Sequence, residues 1–134
     1  MARSSKNLIR FLSEAEIISI NEEMVAKFGG LHGIRDLHLL RLATGRPQMS
    51  VGFQDAYKTI FDKAAALLHS IINNHPFLDG NKRTSFFSAI LFLQYNGWET
   101  EFKRKEAVKF VRKVHDEDYT VEQISTWLEN HSSR

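Results

Sequence analysis

Apolar residues recur at three- and four-residue spacing through most of the chain, whereas strict alternation is almost absent, so the pattern predicts helices rather than strands. Ser13 and Glu16 stand in the register of a capping box, and Leu12 is placed to staple onto Ile17. The helix starting there directs Ile17, Ile20, Met24 and Phe28 to one face. It ends at Gly29 and Gly30, which supply the left-handed backbone of a C-cap. A shorter helix is predicted over 36–44. Gly45 and Pro47 then break the chain, and 47–54 reads as a loop or small hairpin. Over 55–74 the positions Tyr57, Ile60, Phe61, Ala64, Leu67, Leu68, Ile71 and Ile72 keep to the face of one long helix.

Beyond the break HPFLDG, the residues Phe86, Phe87, Ile90, Leu91, Phe92, Leu93 and Tyr95 encircle the next helix almost completely, which predicts a position in the middle of the core. Asn96 and Gly97 stop it. Two helices follow, over 105–115 and from Thr120, where Gln123 completes a second capping box and Tyr119 can staple Ile124. Residues 98–102 read as a short extended segment. The expected class is all-α: a compact bundle of about six helices around a central buried one, with a small flap before the long helix, in a single domain over 1–134.

Composition narrows the function classes. With 43% hydrophobic residues, 25% charged residues and ten Phe in 134 positions, the chain can fill the interior of one domain, which excludes a disordered segment. The absence of Cys excludes a disulfide framework, a thiolate metal site and a Cys nucleophile, and fits a reducing cytoplasm. No apolar stretch of leader length follows the basic opening MARSSKNLIR, and no run reaches transmembrane length, so a cytoplasmic protein without a membrane partner is expected. A formal charge of +2 permits nucleic acid as a partner without requiring it.

The chemistry concentrates in HPFLDGNKR, a polar turn between the two most hydrophobic helices. Asn81, Lys82 and Arg83 fall in a helical first turn, where backbone N–H groups lack intrahelical partners and the dipole is positive. Two cations stacked there are unfavourable unless an anion is present, and a phosphate resolves the conflict. Gly80 allows close backbone approach, and Asp79 can hold a magnesium ion, which takes one or two carboxylates plus phosphate oxygens. His75 can act as general base, since an imidazole exchanges protons near neutral pH. Phe77 faces the other way and anchors the loop. A base, a metal and fixed positive charge are what phosphoryl or nucleotidyl transfer to a hydroxyl needs. Taken singly, each residue also fits an ordinary cap, turn or solvated pair.

HPFLDGNKR resembles the signature of the Fic/Doc superfamily, HPFx(D/E)GN(G/K)R. GGLHGIRDLHLLRLATGRP and NKRTSFFSAILFLQYNG are similar to the regions that flank it in death-on-curing proteins, and the likeness covers roughly residues 11–130. The resemblance implies the Fic/Doc fold, His75 as catalytic base, Asp79 as magnesium ligand, and Asn81, Lys82 and Arg83 as phosphate contacts. It further implies that 47–54 is a flap docking the target polypeptide by strand addition. AMP-transferring members have Gly at the place of Lys82 and a second Arg at that of Phe86. Doc-type members carry Lys, although the one after which they are named has Ala at the place of Gly80. The implied activity is therefore that of a toxin in a toxin-antitoxin module, transferring the γ-phosphoryl group of ATP to a Ser or Thr hydroxyl of a protein, with a translation factor among the candidate targets. AMP transfer is the alternative.

An inhibitory helix of the form (S/T)xxxE(G/N) is matched formally by 125–130, but Phe86 offers Glu129 no charge to pair with, and an amphipathic final helix is the simpler reading. Inhibition is then expected from a cognate antitoxin, whose tail folds as a helix into a groove near the site. A non-catalytic nucleic-acid-binding protein is a competing reading, carried by the basic stripe Lys105, Lys109 and Arg112. Glu106, Asp116, Glu117 and Asp118 dilute that stripe, and no base-reading motif accompanies it.

Overall fold

In the computed structural model, which describes residues 8–134, the helical expectation holds and the strands are confined to two-residue pairs. Most of the opening stretch read above for a leader lies outside the described residues. Six helices run in the order α1 (Glu14–Phe28), α2 (Leu37–Gly45), α3 (Ile60–Asn74), α4 (Asn81–Tyr95), α5 (Arg104–Asp116) and α6 (Val121–Asn130) among the described residues. No described helix is long and apolar enough to cross a membrane.

The helix ends follow their local chemistry. Both reciprocal capping boxes form, Ser13 with Glu16 on α1 and Thr120 with Gln123 on α6, and Gly29 terminates α1 at φ 91°. Asp36 caps α2, accepting from the Leu39 N–H at 3.0 Å. The capping hydrogen bond from Ser13, reinforced by Tyr95, Arg10 and Ser13's hydroxyl, holds the Glu16 carboxyl below the usual carboxylate range, against the opposing effect of its partial burial.

Helices α3 and α4 form the centre. On α3 the residues Ala64, Ala65, Leu68, Ile71 and Ile72 are fully buried, and α4, α6 and α2 pack around them. Helix α4 buries Phe86, Ala89, Phe92 and Leu93, but also the polar Thr84, Ser85 and Ser88. The outward line is Phe87, Leu91 and Gln94, so α4 is central without being apolar all round.

Two expectations need correction. The buried face of α1 is Ile17, Asn21, Met24 and Val25, whereas Ile20 is only half-buried and Phe28 is 47% exposed. The stripe rotates because Asn21 turns inward to hydrogen-bond across the core. Second, α3 begins at Ile60 and not at Asp55. The Thr59 hydroxyl accepts from the Asp62 N–H at 3.0 Å and starts the helix, while residues 55–58 leave it as an arm.

That arm belongs to the hairpin foreseen over 47–54, a 3-10 turn (Arg46–Gln48) followed by β1 (Ser50–Val51) paired antiparallel with β2 (Gln54–Asp55). Its base is pinned to α3 by polar contacts. Lys63, 2% exposed, donates to the Asp55 carboxylate at 3.1 Å and to the Tyr57 carbonyl. Arg46 donates to the Tyr57 hydroxyl at 2.8 Å, to Ser70 Oγ at 2.8 Å and to His69 Nδ1 at 2.7 Å. The extended segment near 98–102 also forms, as β3 (Glu99–Thr100) against β4 (Ser132–Ser133).

A guanidinium can only donate, so His69 Nδ1 must accept and the ring is neutral. Burial pushes the His69 imidazole below its ordinary range and the Arg46 charge adds to this, with Asp118 opposing. Folding therefore releases a proton from His69 in the window below pH about 6.5, where the unfolded chain binds more protons than the folded one. Stability is accordingly expected to fall as pH drops from 7.5 to 5.5. Urea midpoints at the two pH values check this, and His69→Gln should flatten the difference.

Candidate functional site

The turn between α3 and α4 is built from both helix ends and braced by a distant segment. His75 closes α3 as a C-cap in the left-handed region, φ 49° and ψ 58°, its N–H bonded to the Ile71 carbonyl at 3.2 Å. Its ring is exposed and meets the ring of His115 edge to face, with centroids 5.8 Å apart. His115 in turn pairs through Nδ1 with the Asp116 carboxylate at 3.0 Å. The hydrogen bond from His115, with lesser help from the charges of His115, Lys82 and Arg112, lowers the Asp116 carboxyl below its ordinary range against desolvation.

Phe77, 1% exposed, sinks the middle of the turn into the core, as its alternation with His75 predicts. Asn81 locks it from the other side. The Asn81 side chain accepts from the Phe77 N–H at 3.0 Å and donates to the Phe77 carbonyl at 2.9 Å. The oxygen and one N–H of this amide are thus committed to the loop, and the backbone N–H at the start of α4 can also meet an anion.

Asp79 Oδ2 accepts from the Leu31 N–H at 2.7 Å, and the Asp79 carbonyl accepts from Asn21 Nδ2 at 2.8 Å. Asn21 also donates to Thr84 Oγ1 at 3.0 Å, tying α1 to both sides of the turn. Gly80 caps α4 at φ 76° without any side-chain cap. A Cβ there would stand 3.2 Å from Asn21 Nδ2 and 3.3 Å from Val25 Cγ2, so the close approach this glycine permits is that of α1. Gly30 has the same duty toward Asp79. Its φ is 115°, and an added Cβ would lie 2.8 Å from Asp79 Cβ. Gly30→Ala is expected to cost about 1–3 kcal/mol through backbone strain and displacement of the carboxylate, measurable by urea unfolding.

Lys82 and Arg83 project from the first turn of α4, both exposed. The Arg83 guanidinium lies 4.0 Å from the centroid of the Phe28 ring, which explains why an aromatic at the end of α1 stays outside the core. Both cations line a cleft of about 410 Å³ whose walls include Phe28, Phe87 and Val108 and whose other charged residues are Arg104 and Arg112. His75 and Asp79 stand on the turn but not among the residues lining this cleft. The expected residues are therefore gathered on one turn, with the cations alone opening onto the cavity.

A magnesium ion fits the acid present. No cluster of three or more His, Asp or Glu exists among the described residues, so no all-protein cage is available. Asp79 is one partly exposed carboxylate with an oxygen oriented by a backbone N–H, the donor set of an ion that takes its other ligands from phosphate and water.

Sequence reasoning missed Asn21, Gly30, Arg35 and His115. Asn21 carried a signal, since it interrupts the inward stripe between Ile17 and Met24. Gly30 and Arg35 lie in the stretch that resembles the family, but their contacts across 49 and 40 residues, like that of His115, have no signal in local spacing.

Fold and site together define an all-helical protein organised around a polar turn that opens a buried helix. A sequence profile of the Fic/DOC family matches residues 11–93, and the chain belongs to that family. It is 41% identical over 103 residues to the "Toxin Doc" of Mycolicibacterium smegmatis, covering 75% of this chain and 79% of that protein. It is also 34% identical over 89 residues to the "Protein kinase doc" of Escherichia phage P1, covering 66% and 70% respectively.

Proposed function

We propose that the protein is a toxin of a toxin-antitoxin module that transfers the γ-phosphoryl group of ATP to a Ser or Thr hydroxyl of a protein target in the cytoplasm. The observation that carries this reading is the turn itself, which presents His75 at the end of α3 and Asp79, Lys82 and Arg83 at or beside the positive start of α4. The relatives named as a toxin and as a protein kinase support it.

In this reading His75 takes the hydroxyl proton, the freed oxygen bonds to the γ-phosphorus, and the bond from that phosphorus to the bridging oxygen breaks, leaving ADP. Lys82, Arg83 and the N–H groups opening α4 bind the phosphates. Asp79 would hold magnesium, whose contribution is to offset phosphate charge. The hairpin, with Val51 and Phe53 exposed, would dock the target by strand addition. The cleft beside Lys82 and Arg83, cationic at its rim and aromatic within, suits the folded tail of an acidic antitoxin.

The environment of Phe86 weighs against AMP transfer. At the place where AMP-transferring relatives carry a second Arg, this ring is 3% exposed and packs edge-on against Phe102 at 4.9 Å and Trp127 at 6.0 Å. It can neither bind a phosphate nor pair with Glu129, and α6 buries Ile124 and Leu128 as an ordinary packing helix. Nucleic-acid binding has no support beyond the exposed basic stripe Lys105, Lys109 and Arg112.

The deciding experiment incubates the protein and a cell lysate with magnesium and ATP labelled at either the α or the γ phosphate. Protein label from γ alone is the expected result. Label from α alone, or none from either position, overturns the proposal.

A further inference from the structure

The least favourable backbone in the turn is at His75. Left-handed φ and ψ are uncommon for a residue with a Cβ, though less so for His and Asn than for most, and a residue followed by proline, here Pro76, prefers extended backbone. His75 is neither glycine nor extended, so neighbouring structure must hold it there.

The contacts that do so come from one side chain 40 positions earlier. Arg35 Nε donates to the His75 carbonyl at 2.6 Å and Arg35 Nη2 donates to the Asn74 carbonyl at 2.7 Å. These are two of the carbonyls that the last turn of α3 leaves without a helical partner, and a cation there also meets the negative end of the helix. Around them the backbone of 33–36 runs along the turn. Arg35 N–H and Asp36 N–H donate to the Pro76 carbonyl at 2.7 and 3.1 Å, Leu78 N–H donates to the Gly33 carbonyl at 3.0 Å, and Ile34 bridges to Phe77.

The division of labour is informative. Main-chain bonds fix Pro76 to Leu78 and require no particular side chain, whereas the carbonyls of Asn74 and His75 depend on the Arg35 guanidinium. Fixing the His75 carbonyl fixes its ψ, and with it the direction in which Cβ and the imidazole leave the backbone. The phosphate-binding end of α4 is held separately, by Asn81 on Phe77 and by Asn21 on Asp79.

We infer that Arg35 is a positioning residue for His75, locking the left-handed helix terminus that aims the imidazole. The inference rests on the proposed role of His75 as base for its catalytic consequence, but its structural half is independent of that role.

The test uses Arg35→Ala and Arg35→Lys in the full chain. Solution NMR of the coupling from His75 Hα to the Pro76 nitrogen, which depends on ψ of His75, and of the cross-peaks between the rings of His75 and His115, reads the backbone directly. In Arg35→Ala the coupling should change and the ring cross-peaks should weaken. Arg35→Lys, which keeps one donor and the charge, should retain part of both. In the labelled-ATP assay kcat should fall on the order of tenfold to a hundredfold in Arg35→Ala with the KM for ATP nearly unchanged, and recover partly in Arg35→Lys. An unaltered coupling and unaltered ring cross-peaks in both variants would overturn the inference. So would a loss confined to KM. A wild-type protein that transfers no label sinks the proposed activity instead, and the NMR comparison still decides whether Arg35 holds His75.

Discussion

Replacing His75 with alanine is expected to reduce label transfer from ATP by about 10²–10⁴-fold, the usual contribution of a positioned general base, while the fold persists. The ring is exposed and contacts His115 alone among aromatic neighbours, so unfolding free energy should change by no more than about 0.5 kcal/mol. His75→Asn provides the control, because Asn tolerates left-handed backbone and leaves the turn in place without a comparable base. Initial rates at saturating ATP, alongside thermal melts, check both halves. Rates in either variant within threefold of the wild type would remove His75 from the chemistry, whatever the melts showed.

The largest effect on stability is expected at Phe77. This ring is among the largest fully buried side chains, and it is held in register by Asn81 through the backbone and by the bridge to Ile34. Phe77→Ala should cost about 3–5 kcal/mol, the loss of transfer energy together with the cavity left behind. Domains of this kind have about 5–15 kcal/mol in total, so the variant should unfold at much lower urea and lose activity through its turn. A loss under about 1 kcal/mol would mean that the ring is not packed as the structure has it. Asn81→Ala should show a smaller loss of the same kind, since it leaves the Phe77 N–H and carbonyl buried without partners.

These two substitutions separate what was readable along the chain from what was not. The local grammar was readable. Ser13 and Glu16, Thr120 and Gln123, and Gly29 mark helix ends through bonds spanning three or four residues, and the structure has each of them. The candidate residues were also readable as a set, because His75, Asp79, Gly80, Asn81, Lys82 and Arg83 are nearly contiguous and a single turn presents them. Periodicity misled where a tertiary contact competed with it. Tyr57 fits the apolar period of α3, yet it lies on an arm whose carbonyl is taken by the buried Lys63, and Phe28 fits that of α1, yet it stays outside beneath Arg83. Asn81 looked like a phosphate contact from its place in the motif. Its side chain also clamps Phe77, a role visible only once the turn is closed.

By itself, then, the sequence determined the helical class, most helix ends, the central pair α3 and α4 and the residues that share the polar turn, since each depends on interactions among neighbours a few positions apart. Only the tertiary structure decided how that turn is held. Leu31 on the Asp79 carboxylate, Arg35 on the His75 carbonyl, Asn21 on Asp79 and Thr84, and His115 against His75 join segments 40 to 63 residues apart. The physical reason is that a hydrogen bond across such a separation exists only after hydrophobic burial has brought the helices together, and nothing in the local spacing of residues encodes which distant groups will then face each other.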